Sequence, residues 1–235
     1  EGAYILCDSV VSISEDTGIS WKIKYLSYGE YRDSLRNGIY IRFGHSTDKE
    51  PTTKSYTYEN GMLHGPACDQ LLTGEVVKTY QFLDGKAEGE FLQYYPNGNI
   101  KSVSSFDNGL AEGDWVEYYE SGQLSRKGSY LQGLRVDSLF EYYEDGNILG
   151  RFHFLSGRLL GWKIYHPTGT VKATGFGGYY GADFKFIQAI PDCCPWSPKE
   201  GIWKFYDEDG TLIREEIYSD DSLIETLYYQ NNGNH

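Results

Sequence analysis

From Gly89 the chain reads GEFLQYYPNGNIKSVSSFDNGLAE, from Gly113 GDWVEYYESGQLSRKGSYLQGLRV, and from Asp137 DSLFEYYEDGNILGRFHFLSGRLL, so one 24-residue pattern is written three times between residues 89 and 161. Recurrence at a fixed period of this size marks a repeat architecture, in which each unit is one supersecondary element covered only by its neighbours.

Three glycines recur in phase. One set opens the units at Gly65, Gly89 and Gly113, is replaced at Asp137, and returns at Gly161; a second is Gly74, Gly98, Gly122 and Gly146; a third is Gly85, Gly109, Gly133 and Gly157. The second set ends the sequences PNG, ESG and EDG, between a Tyr-Tyr pair and a segment opening N-I or Q-L. A three-residue loop made of a type I turn and a left-handed residue needs glycine in that third place. Each unit is therefore read as a β-hairpin. The third set lies in the connections between hairpins, and antiparallel order continuing across it predicts a meander without helices. The fold class expected is all-β: an elongated antiparallel meander of about seven repeated β-hairpins, a single-layer solenoid.

Pairing Tyr119 with Gln123 places Tyr118 opposite Leu124 and Val116 opposite Arg126. Alternation then puts Val116, Tyr118, Leu124, Gly128 and Tyr130 on one face, and Trp115, Glu117, Tyr119, Ser125 and Lys127 on the other. The first face continues as Leu92, Tyr94, Ile100 and Phe106 in the unit before, and as Phe140, Tyr142, Ile148, Phe152 and Phe154 in the unit after. That face is expected to be the more buried.

Outward from the regular units, residues 1–37 alternate apolar and polar types around turn residues and read as an N-terminal strand cap. Repeats are expected over 38–176. An insertion at 177–200 follows, and 201–235 holds the last repeat and a C-terminal cap.

The balance of 34 acidic against 21 basic residues, a formal charge of −13, argues against a nucleic-acid backbone or an anionic membrane surface as partner. No stretch of 18 apolar residues exists, so no transmembrane helix is expected. The chain opens on Glu1 rather than Met, which leans toward a removed leader and a secreted or cell-envelope setting. Of the four cysteines, Cys193 and Cys194 are adjacent and poorly placed to bond each other, which leaves a disulfide from that pair to Cys7 or Cys68 open.

The pattern G-x-W-x-x-Y-Y-x-x-G-x-L with a closing Y-x-x-G resembles the MORN-variant repeat, whose bacterial members are commonly labelled YwqK-type antitoxins. The resemblance is close over 65–161 and looser over 38–64 and 161–218. It implies an elongated β-hairpin sheet used for contacts with proteins or lipids, and fixes no partner. The first two units depart from it: after Gly65, Ala67 stands in the aromatic position and Gln70-Leu71 in place of the tyrosine pair. Y-Y-x-x-G-x-L is also similar to choline- and cell-wall-binding repeats, which cage a quaternary ammonium or stack a sugar on aromatic rings.

No nucleophile elbow, metalloprotease helix, phosphate loop or EF-hand loop is present. His45, His64, His153, His166 and His235 are scattered over different units with no partner at motif spacing. Glu117 and Glu141 recur on one face about 10 Å apart, two strand spacings, which reads as a repeated polar position rather than a catalytic pair. No enzyme, cofactor or metal site is expected. Two places are read as partner-binding: the aromatic row Phe91, Tyr95, Trp115, Tyr119 and Trp203, and the insertion with Tyr179, Tyr180, Phe184 and Trp196. The functional expectation is a non-catalytic protein-interaction scaffold, an accessory subunit of a larger assembly, with self-association within its scope. The alternative is a secreted module for glycan- or choline-type ligands.

Overall fold

In the computed structural model of the protein, which describes residues 2–15, 18–46, 49–177 and 198–229, every regular element is a β-strand; side chains are described for 28–42 and from 52 onward. The chain divides into two compact units, Glu1–Leu110 and Ala111–His235.

The first unit holds β1 (Gly2–Glu15), β2 (Gly18–Arg32), β3 (Leu35–Ser46), β4 (Lys49–Glu59), β5 (Met62–Leu71), β6 (Val76–Leu83), β7 (Lys86–Tyr94) and β8 (Ile100–Asp107). Each pairs antiparallel with the next in sequence. The two-residue β9 (Leu110–Ala111) lies at the boundary. The second unit holds β10 (Gly113–Tyr118), β11 (Leu124–Leu131), β12 (Leu134–Tyr142), β13 (Ile148–Leu155), β14 (Arg158–Tyr165), β15 (Val171–Gly177), β16 (Lys199–Tyr206), β17 (Leu212–Ser219) and β18 (Ser222–Tyr228). These too pair in chain order. The meander of hairpins is thus present in both units. Most of the insertion, 178–197, lies outside the described residues.

Two kinds of turn alternate. At the Tyr-Tyr end, Tyr119 N–H donates to Gln123 O at 2.8 Å and Gly122 N–H to Tyr119 O at 2.9 Å. Gly122 has φ +89°, the left-handed place the loop geometry requires. At the other end, pairs such as Asp84-Gly85 (φ +50°, +82°) and Gln132-Gly133 (φ +50°, +78°) have both residues left-handed. These are two-residue hairpin turns whose twist matches the strands, so the links between units are hairpins as tight as those within them.

The expected division of the two faces is corrected by a bulge. In β10–β11, Glu117 pairs with Arg126 and Tyr118 with Leu124, leaving Ser125 without an opposite residue. Val116 consequently lies opposite Lys127 and not Arg126. The same slip leaves Leu149 unopposed in β12–β13, Lys172 in β14–β15 and Ile213 in β16–β17. One extra residue transfers the rest of the strand to the opposite face. Phe152 therefore joins Leu139 and Trp162 on the face of Trp115, not the face of Phe140 and Tyr142.

That Trp115 face carries the core of the second unit. Leu139, Phe152, Phe154, Trp162, Ile164, Ala173, Trp203, Phe205 and Tyr218 form one buried cluster, with Trp115 packed against it. Glycines make room for the large rings: Trp115 lies opposite Gly128, and Trp162 opposite Gly175. In the first unit the same arrangement places Tyr40 opposite Gly29. Further along the same unit, Tyr80 stacks on Phe91 at 5.4 Å and meets Phe82 edge-on at 5.6 Å.

Candidate functional site

Charges enter the buried face in register. Glu117 on β10, Arg126 on β11 and Glu141 on β12 lie directly opposite one another. Arg126 Nη2 approaches Glu117 Oε2 at 2.6 Å. Glu141 is 4% exposed, and burial pushes its carboxyl above the usual range, against the pull of Arg126 and Arg135. Arg135, also 4% exposed, has no hydrogen-bond partner for Nε or Nη2. Its guanidinium instead lies 5.3 Å from the Trp115 ring, 5.4 Å from Tyr130 and 5.8 Å from Phe154, where the ring quadrupoles hold its charge. Glu117 and Glu141 thus flank an arginine rather than an open cleft. In the first unit Asp69 plays the corresponding part, accepting from Tyr80 Oη at 2.7 Å and pairing with Lys54 at 3.1 Å. Burial and that hydrogen bond push the Tyr80 phenol upward.

The aromatic residues of the expected contact row fall mostly into packing roles. Trp203 is wholly buried, 0% exposed, and donates Nε1–H to Phe176 O at 3.0 Å. Its ring meets Trp162 edge-on at 4.9 Å. It offers a partner no surface, because it sits inside the buried cluster on the Trp115 face. Trp115 is half-buried between Arg126 and Arg135. Tyr119 Oη donates to Tyr142 O at 2.6 Å, and Tyr143 Oη to Tyr165 O at 2.9 Å. In these two hairpins the second tyrosine of the pair therefore ties the hairpin to the one that follows. Phe91 stacks on Tyr80, and Tyr95 lies 5.6 Å from the Lys101 ammonium. Tyr179, Tyr180, Phe184 and Trp196 lie outside the described residues. So do Cys193, Cys194 and the Cys7 side chain. Cys68 is a free thiol on a groove of about 560 Å³ that Ile41, Thr57, Pro66 and Thr79 also line. Burial, with Asp69 adding, pushes its pKa up. A thiol kept protonated is a poor nucleophile.

One polar device escaped the sequence reading. Asn108 N–H donates to Glu88 Oε2 at 2.9 Å, Gln132 N–H to Glu112 Oε2 at 2.7 Å, and Asp220 N–H to Glu200 Oε1 at 2.8 Å. In each case a carboxylate one residue before a unit glycine caps the two-residue turn 20 positions later. Beside it, Gly109 N–H reaches Ala87 O and Gly133 N–H reaches Ala111 O. The family model of the MORN repeat variant matches residues 87–108, 111–132 and 199–220, the three segments that carry this cap. These three segments are MORN-variant repeats. The signal was legible as the recurring Glu-Gly at 88–89, 112–113 and 200–201. Where Val136 replaces the glutamate, the backbone bond of the turn is kept, with Gly157 N–H reaching Arg135 O at 2.8 Å.

No curated protein matches the chain. Among solved structures, a mutant of S. aureus TarM in complex with fondaparinux, alpha-GlcNAc-glycerol and UDP is similar over 55% of this chain at 8% identity and a TM-score of 0.23. This chain covers 21% of that one. Among the described residues there is no group of three or more His, Cys, Asp or Glu side chains placed to hold a metal ion, and no helix long and apolar enough to cross a membrane.

Proposed function

We propose that this chain is a non-catalytic protein-interaction scaffold, an accessory subunit of a larger assembly, which presents the outward face of its repeat hairpins to a protein partner. MORN repeats are in general interaction modules, and one observation supports this use here. The face that carries the tryptophans is consumed by packing, while apolar side chains stand exposed elsewhere: Leu131, Leu155, Phe176 and Ile202 are all exposed. An alternative, a cage for choline-type ligands, needs ring faces open to a cation. Here the rings are already covered by the chain's own cations: Arg135 on Trp115, Lys199 on Trp203 and Arg214 on Phe205. The aromatic insertion at 177–200 is carried as a second contact element on its sequence.

The test is crosslinking of the full chain in its native extract, followed by mass spectrometry, beside a titration of tryptophan fluorescence with choline and with oligosaccharides. A recurrent protein partner and unchanged fluorescence are expected. A saturable fluorescence change with a glycan or choline, and no protein partner, would replace the scaffold with the ligand-binding module.

A further inference from the structure

On the outward face of the second unit, four strands bring a line of residues into direct register: Lys127 on β11, Phe140 on β12, Arg151 on β13 and Lys163 on β14. The line continues through Thr174 to Lys204 and Glu215. Lys204 has its carboxylate there, at 3.2 Å from Glu215. Lys127, Arg151 and Lys163 are exposed and, among the described residues, have no carboxylate within ion-pairing distance. The Phe140 ring lies between the first two cations, 5.3 Å from the Lys127 ammonium and 5.5 Å from the Arg151 guanidinium. Cations resting on a ring are held in place and partly desolvated before any ligand arrives.

The chain as a whole carries −13. Exposed carboxylates such as Glu120, Asp145, Glu208 and Asp209 sit at hairpin ends; on the outward flat Asp114 faces Ser129 and Glu215 pairs with Lys204, so the stretch from Lys127 to Lys163 is left basic against an acidic background. Tyr142 and Ile148, paired with each other beside the line, add apolar contact on the same face.

We propose that the Lys127–Phe140–Arg151–Lys163 line is a docking surface for an acidic polypeptide segment with interspersed apolar residues, laid across the strands. The inference rests on the scaffold reading and names the class of partner. With strands about 4.8 Å apart, the cations call for carboxylates about 10 Å and then about 5 Å apart along the segment. A polypeptide suits this geometry better than an anionic membrane, because the cations form a line rather than a field, and the net negative charge of the chain opposes approach to a negative surface.

The test is fluorescence anisotropy of a fluorescein-labelled peptide of alternating Glu and Phe, titrated with the full chain. Binding is expected to weaken with rising salt and to fall at least about ten-fold in the triple variant Lys127→Glu, Arg151→Glu, Lys163→Glu. Lys172→Glu, an exposed cation at the β15 bulge off the line, should bind as the parent chain does. All three positions are exposed, so circular dichroism should show an unchanged sheet; if the triple variant fails to fold, Arg151→Ser alone should still weaken binding. Absence of binding, or equal binding by the triple and Lys172→Glu variants, overturns the proposal. So does retention on phosphatidylserine-containing vesicles that depends on the three cations and that the peptide does not compete away. If native crosslinking finds a protein partner that the triple variant keeps in full, the scaffold stands and this surface falls.

Discussion

Gly175 lies directly against Trp162: a Cβ built on it would come within 2.5 Å of Trp162 Cζ2 and 2.9 Å of Trp203 Cδ1. The indole occupies the place where a side chain on the opposite strand would be. Gly175→Ala should therefore force two buried tryptophans to move and lower stability by about 1–3 kcal/mol. Urea midpoints read this directly, and an unchanged midpoint would show that the core yields freely.

Gly122 is the contrasting case, since nothing lies within 4 Å of its added Cβ and its φ is +89°. Only backbone strain is at stake. Gly122→Val should cost about 1–2 kcal/mol, whereas Gly122→Asn, which visits the left-handed region more readily, should cost clearly less. Equal melting temperatures for the two variants would contradict the turn assignment.

Arg126 stands between Glu117 and Glu141. Arg126→Met leaves the half-buried Glu117 without its ion-pair partner and takes from the buried Glu141 one of the two arginines that favour its charge, and should destabilise the second unit by about 3–5 kcal/mol. Chemical denaturation of the variant against the parent measures it.

The raised pKa of Glu141 has a definite sign in stability. A carboxyl that binds its proton more tightly folded than unfolded adds stability below its unfolded pKa, and that contribution is lost as pH rises through the folded value. Glu141→Gln should remove this decline, and a profile of unfolding free energy against pH that still matches the parent would assign the slope to another group.

Tyr119→Phe removes only the hydroxyl that reaches Tyr142 O. The expected loss is about 1 kcal/mol, and Tyr143→Phe should lose a similar amount through Tyr165 O. Thermal melts of the single variants, compared with the double, would show whether these ties act independently.

How much was legible follows from the physics of each feature. A left-handed loop residue admits glycine and little else, so Gly98, Gly122 and Gly146 announced their hairpins. The Glu88, Glu112 and Glu200 caps recur as plainly but join residues 20 apart, and no local rule points from a glutamate to a turn two strands away. Trp115 and Trp203 were visible as a row, yet large aromatics suit a core and a contact surface equally well.

Sequence alone was enough for the strands, the loops and their antiparallel order, because these depend on short-range backbone preferences repeated at a fixed period. Which face is buried was decided only in three dimensions. Strict alternation placed Phe152 with Phe140, but the unopposed residues Ser125, Leu149, Lys172 and Ile213 each shift the following strand by one. A one-residue slip exchanges the two faces of a strand. It carries Phe152 onto the face of Trp115 and Trp203, which becomes the core, and leaves Lys127 and Arg151 in line with Lys163 on the outward face.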